Sequence, residues 1–358
     1  MAPACTRYRS FERSRLCRRM TGLVAATVSA AGAAGAATID DLVSQGLYCS
    51  ATAQAMFQAC NHQTQNDYLI AVAICINESD DRDRVRCFAD ARDTSTEDAA
   101  LCRAQLKGRR DACGELGQGR YDPEFEPVDF DRDFTKLTNP NPYFPLAIGS
   151  RWEFLSQEQA TTVEILNRTK LIDDVRCIVA RDTVSEDGNV IEDTNDWYAQ
   201  ARDGNVWYCG EETSEFETFR GDRPQLPERV SIDGSFKAGR DEDKPGIIFR
   251  ANPVVGEVYV EEASLGNAED ATEVLSVSYS YGTNAELDEL VPANLARYLC
   301  QGNCVVTKNF SLLEPGVFER KYYSAGIGVF LEVEPGSGEV VRLVKCNVDP
   351  RCAGLPQP

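Results

Sequence analysis

Hydrophobic positions follow two different periods along the chain. Between residues 38 and 117 they recur at helical spacing. Cys49, Ala53, Met56 and Cys60 fall at i, i+4, i+7 and i+11, one stripe of a 3.6-residue helix. The six cysteines at 49, 60, 75, 87, 102 and 113 are separated by 11, 15, 12, 15 and 11 residues, a mirror-symmetric series centred near Asp81. An antiparallel helical hairpin brings mirrored positions face to face. The series therefore predicts nested bridges Cys49–Cys113, Cys60–Cys102 and Cys75–Cys87, with the turn at Ser79-Asp80-Asp81-Arg82-Asp83. The apolar run 69–76 is expected to be buried. Thr94-Ser95-Thr96-Glu97 reads as a capping box that starts a new helix. The stretch 62–67 is also polar, so four short helices fit the arms as well as two long ones.

From 141 to 346 the period changes to two. Short β-branched and aromatic runs cover 150–157, 161–171, 175–184, 190–201, 206–211, 246–249, 258–263, 271–281, 304–312, 317–324, 329–333 and 339–346. Asp187-Gly188-Asn189, Asp203-Gly204-Asn205 and Pro335-Gly336-Ser337-Gly338 supply turns between them. Sequential strands with hairpin-sized turns predict a mainly antiparallel sheet curled into a barrel, a half-barrel or a sandwich. The fold class is thus α+β: a disulfide-stapled helical hairpin at 38–117, an acidic extended linker at 118–140, an antiparallel β domain at 141–346 and a tail at 347–358. The irregular stretch 213–245, with Pro224 and Pro227, reads as a surface excursion over one mouth of the sheet.

Composition adds compartment. Residues 1–36 hold six Arg and one Glu, and 22–37 are small, apolar and uncharged, ending near Ala34-Gly35-Ala36. That is the plan of a signal peptide, with a mitochondrial presequence as the alternative. The expected location is secreted or periplasmic, with no membrane span in the mature chain. Of fourteen cysteines, Cys5 and Cys17 lie in the leader; the other twelve suit six disulfides. In the body, Cys300–Cys304 closes a tight loop, Cys346–Cys352 staples the tail, and Cys177–Cys209 is assigned by elimination. The formal net charge is −20. Such a surface repels nucleic acid and anionic lipid.

The candidate chemistry is sparse. His62 is the single histidine, which weakens triad and multi-histidine zinc readings, and no catalytic role is expected for it. No GxGxxG, Walker, GxSxG or HExxH motif occurs, and no cofactor or metal is expected. The segment 121–134 alternates acids with Phe125, Phe130 and Phe134; Pro123 and Pro127 keep it extended. It lacks EF-hand order, so an acidic strap packed by its aromatics is favoured over a calcium site. The acid pairs Asp173-Asp174, Glu192-Asp193, Glu211-Glu212, Glu261-Glu262 and Glu269-Asp270 read as solvated faces among 57 acids. Trp197, Tyr198, Trp207 and Tyr208 flank the Asp203-Gly204 turn as cross-strand pairs. Half should be core; the other half is the candidate binding surface.

The segments Tyr143-Phe144-Pro145-Leu146 with Gly149 and Trp152, Asp196-Trp197-Tyr198-Ala199-Gln200, and Asp203-Gly204-Asn205-Val206-Trp207-Tyr208 resemble those of an uncharacterised family of exported bacterial proteins. The resemblance spans about 141–335. It implies a secreted β-domain and a bacterial source, and carries no established activity. Cys209 stands where the family pattern expects an aromatic, which suits an added disulfide. The expected function is that of a non-enzymatic exported protein whose β-rich body binds a ligand or protein partner. The alternatives are a carrier of an apolar ligand and a carboxylate-dependent hydrolase.

Overall fold

The computed structural model describes residues 37–358, so the predicted leader, with Cys5 and Cys17, lies outside the described residues. The chain divides into two compact units, one ending at Arg120 and the other running from Tyr121 to Pro358.

The first unit contains α1 (Ile39–Ser44), α2 (Tyr48–Ile76) and α3 (Asp81–Leu116). Thr38 and Asp41 form a capping box on α1, and the Asp80 carboxylate accepts the N–H groups of Arg82 and Asp83 at the start of α3. Bridges Cys49–Cys113, Cys60–Cys102 and Cys75–Cys87 join α2 to α3 at Cα separations of 5.7, 5.7 and 5.5 Å. The residues buried between the helices are mostly small, Ala51, Ala53, Thr64, Cys75, Ala91, Cys102, Ala112 and Cys113, joined by the long polar Gln105 and Arg109. Two expectations are corrected here. Each arm is one continuous helix: the Thr96 hydroxyl donates back to the Arg92 carbonyl at 2.9 Å, so 94–97 continues the helix and caps nothing. The run 69–76 is not buried either. Leu69, Ile70, Ile74 and Ile76 are 53–64% exposed, and Cys75 alone of the run is buried. A two-helix unit buries one stripe per helix. Cys75 occupies that stripe, and its apolar neighbours point away from it.

In the second unit, β1 (Arg151–Leu155), β2 (Gln159–Ile172), β3 (Val175–Glu186), β4 (Asn189–Gln200) and β5 (Val206–Glu217) form an antiparallel meander. Then β6 (Glu228–Ser231), β7 (Phe236–Lys237) and β8 (Gly246–Phe249) each pair with β5. A second meander follows: β9 (Val258–Val260), β10 (Asp270–Tyr279), β11 (Cys304–Ser311), β12 (Glu319–Ser324), β13 (Gly328–Glu334) and β14 (Glu339–Cys346), with α4 (Ala293–Leu299) between β10 and β11. The last strand pairs with the first, Trp152 opposite Cys346, and so the two meanders make one 14-stranded sheet. The sheet curls until β8 lies beside β9. A single bridge, Lys244 with Ala263, spans those edges, and the ladder does not close into a barrel.

The stretch 213–245 is more than a surface excursion. The long edge of β5 is filled in turn by β6, β7 and β8, and Phe236 is fully buried. β5 carries a bulge opposite Trp197: Trp197 pairs with Gly210 and Tyr198 with Tyr208, leaving Cys209 as the extra residue. Disulfides Cys177–Cys209, Cys300–Cys304 and Cys346–Cys352 are present in this unit. The strap is extended. Phe125 and Phe130 meet edge to face at 4.8 Å, and both reach Trp207, at 5.6 and 6.0 Å. The other face of the second meander is also covered: Tyr322 donates its hydroxyl to the Leu287 carbonyl, and Ser324, two residues on and on the same face, to that of Leu299. Six disulfides suit an oxidising compartment. Among the described residues no helix is long and apolar enough to cross a membrane.

Candidate functional site

The aromatic hairpin is packed, not displayed. Tyr198 and Tyr208 sit directly opposite each other and stack at 5.1 Å. Trp197 is buried on the other face, with the Lys170 ammonium 3.9 Å from its ring centre. Trp207 lies beneath the strap. Tyr198 and Trp207 keep partial exposure, and two segments pack against them. One is the strap. The other is 141–146. Phe144 meets Tyr198 at 5.0 Å, and Tyr143 stacks on Phe249 at 5.8 Å. The Asn141 amide donates to the carbonyls of Gly204 and Arg250 and pins that segment to the hairpin turn. Across the interior, Phe249 reaches Tyr323 of β12 at 4.6 Å. The concave face is thus filled at one end by aromatic rings in mutual contact.

The rest of the concave face is acidic. The N–H groups of Glu261 and Glu262 both donate to the Asp270 carbonyl, at 2.8 and 3.1 Å. This bulge turns both side chains inward. Glu261 accepts from Thr272 and from the Asn309 amide (2.9 Å); Asn309 in turn donates to Thr272 (2.8 Å) and accepts from Thr307 (2.6 Å). On β12, Glu319 and Lys321 share this face by alternation. Lys321 lies opposite Thr307 on one side and Glu332 on the other. From the facing wall come Asp196 and Glu211, with the Tyr208 hydroxyl 2.6 Å from Asp196 and 3.1 Å from Glu211. Burial is uneven. Glu261, Glu319 and Glu332 are buried, whereas Glu262, Asp270, Lys321 and Tyr198 retain partial exposure.

Charge shapes this recess. Burial, reinforced by Asp270, Glu211, Glu261 and Asp196, pushes the Glu262 carboxyl well above its ordinary range. Burial also lifts Asp270 to about 7 and Glu319 to about 8, against the pull of Ser311 and Lys321 respectively. Glu261 and Glu332 are raised for the same first reason. Burial alone would lower the Lys321 ammonium. Glu332 and Glu319 outweigh it, and the proton is held more tightly than in water. The ammonium stands 3.6 Å from Glu319 Oε2, and neither that oxygen nor Glu332 Oε2 has a hydrogen-bond donor.

From sequence, Glu211, Glu261, Glu262 and Asp270 read as solvated acids, and Glu319, Lys321 and Glu332 carry no expected role. The available signal was parity: each lies on the inward register of a strand. His62 is exposed on α2. In the strap, Asp131 and Asp133 accept from Thr138 and Thr135 and act as local caps. Among the described residues no group of three or more His, Cys, Asp or Glu is arranged to hold a metal ion. The fold and recess define an α+β protein with an open, curled antiparallel sheet and an acid-lined concave face. Comparison with known proteins finds no matching family model, curated protein or solved structure.

Proposed function

We propose that this is an exported, non-enzymatic binding protein of bacterial origin, whose β-body receives a ligand or partner in the acid-lined recess of its curled sheet. One observation carries the reading. Carboxyl groups are concentrated around a single lysine on a face where apolar side chains would stabilise the fold better. Strongly perturbed groups gathered in a recess mark functional sites. The apolar-carrier alternative has less support, since Tyr198, Tyr208, Phe249 and Tyr323 fill the interior with one another and their neighbours. A hydrolase needs two carboxyls facing each other across an open cleft; Asp196 and Glu211 instead share the Tyr208 hydroxyl.

The reading is tested without knowing the ligand. A site maintained for binding is held at the expense of stability. Glu332→Gln removes one acid and leaves Lys321 with Glu319 and Glu261, so at about pH 8 the variant should be more stable than the wild type by about 1 kcal/mol, read as a higher melting temperature. A clear destabilisation would mark the acids as a structural network and end the reading.

A further inference from the structure

We infer that the helical hairpin is a dimerisation unit: a second copy of this chain packs antiparallel against the exposed apolar arc of α2, with Ala73 on the two-fold axis.

The arc follows from helix geometry and burial. Cys75 faces α3, to which it is bridged through Cys87. Counted at about 100° per residue from Cys75, the positions of Leu69, Ile70, Ala73, Ile74 and Ile76 all fall on the opposite half of α2. Leu69 and Ile70 are 55% and 53% exposed, Ile74 and Ile76 are both 64% exposed, and Ala73 is exposed among them. At roughly 100 Å² apiece, the four large side chains present about 400 Å² of apolar surface, a patch of the size that marks an interaction site. Two copies face to face would cover about 800 Å² through these side chains. Ala73 and the exposed Asn66 and Asn77, at the two ends of the arc, raise the total to about 1,000 Å², which is the lower bound for a specific pair.

Other features select a second copy as the occupant. The arc is self-complementary. In an antiparallel pair centred on Ala73, Ile70 of one copy meets Ile76 of the other, and Leu69 meets Asn77. The small side chain on the axis lets the helices approach to about 8 Å. Charge agrees. Asp67 is the one charged residue of α2, and none occurs from Tyr68 to Asn77, so two copies of a chain with formal net charge −20 can meet here with little repulsion. A helix that lies on a membrane surface carries Lys and Arg on its polar face, and α2 has neither. The arc is also rigid before it binds, because Cys60–Cys102 and Cys75–Cys87 clamp α2 on either side of Leu69.

Sedimentation velocity on the intact disulfide-bonded chain, from about 1 to about 300 μM, tests this. The modest area predicts a reversible monomer–dimer equilibrium with Kd about 10 μM. Raising NaCl from about 0.05 to about 0.5 M should tighten it about threefold, since salt screens the repulsion between two acidic chains. Ala73→Arg sets two guanidinium groups on the axis and should weaken the dimer at least ~tenfold. Arg is a good helix former at an exposed site, so the helical circular dichroism should not change. Ile74→Glu should weaken the dimer similarly, while Ala100→Arg, at an exposed position of α3, should leave it intact. A chain that stays monomeric to about 300 μM in high salt would overturn the inference, as would a dimer indifferent to Ala73→Arg and Ile74→Glu. Co-sedimentation with phosphatidylglycerol vesicles that is lost in Ile74→Glu would assign the arc to lipid and overturn it too.

Discussion

Single residues set the limits of this fold. Gly210 has φ +130, and a Cβ there would stand 2.2 Å from the Phe236 carbonyl oxygen and 2.8 Å from the Lys237 Cα. Both neighbours are backbone of β7, so neither can swing aside. Gly210→Ala should cost about 3 kcal/mol, read as a lower denaturation midpoint. Gly188, in the two-residue turn between β3 and β4, also has positive φ but open space around it. Gly188→Ala should cost only about 1 kcal/mol. If the two variants lost equal stability, close approach would not be the reason for Gly210. The sequence marks Gly188 by its Asp-Gly turn. Nothing local marks Gly210, because its constraint comes from a strand 26 residues further on. The acids of the recess were hidden in the same way. Glu319, Glu332 and Glu262 look like any of the chain's 57 acids until strand pairing turns them inward.

At the level of elements, legibility followed the strength of the local pattern. The hairpin could be read because cysteine intervals encode a register directly. β14 could be read because alternation and turn chemistry agree, and β8 because a short apolar run follows Pro245. β6 (Glu-Arg-Val-Ser) is too polar to stand out, β7 has two residues, and α4 follows Pro292 without a side-chain cap. Each exists because a neighbour needs an edge filled or a face covered. The helical unit is the reverse case. Its seam is small side chains with the polar Gln105 and Arg109, too little for an apolar core, and an isolated helix pair is marginal in water. Disulfides therefore hold it. The Cys60–Cys102 bridge, with a sequence separation of 42, should contribute about 4 kcal/mol by restricting the unfolded chain. The double variant Cys60→Ser, Cys102→Ser should melt at lower temperature in its helical circular dichroism signal. An unchanged helical transition would mean that packing, and not cross-linking, holds the pair.

For the whole molecule, the recess predicts how stability depends on pH. Carboxyls raised by burial bind protons more tightly folded than unfolded. Their contribution is complete below the ordinary carboxyl range, about 4, and is lost as pH rises through the folded values, about 7 for Asp270 and about 8 for Glu319. Asp80, Asp133 and Asp349 act oppositely: hydrogen bonds from Asp83, Thr135 and Arg351 lower them, so their contribution is lost on acidification. Stability should peak near pH 5 and decline towards about pH 9. A melting temperature that is flat or rising over that interval would show that the recess carboxyls are ionised at little cost.

The pairing of β1 with β14 has a consequence in time. A chain made from its N-terminus forms β1 to β5 early, yet the partner of Trp152 is Cys346, 194 residues further on. Until residues 339–346 emerge, one rim of the first meander stays unsatisfied and ready to stick to another copy. The last strand is therefore the latch of the body. A premature stop that removes it leaves most of the sheet's sequence intact and turns the remainder into a seed for aggregation.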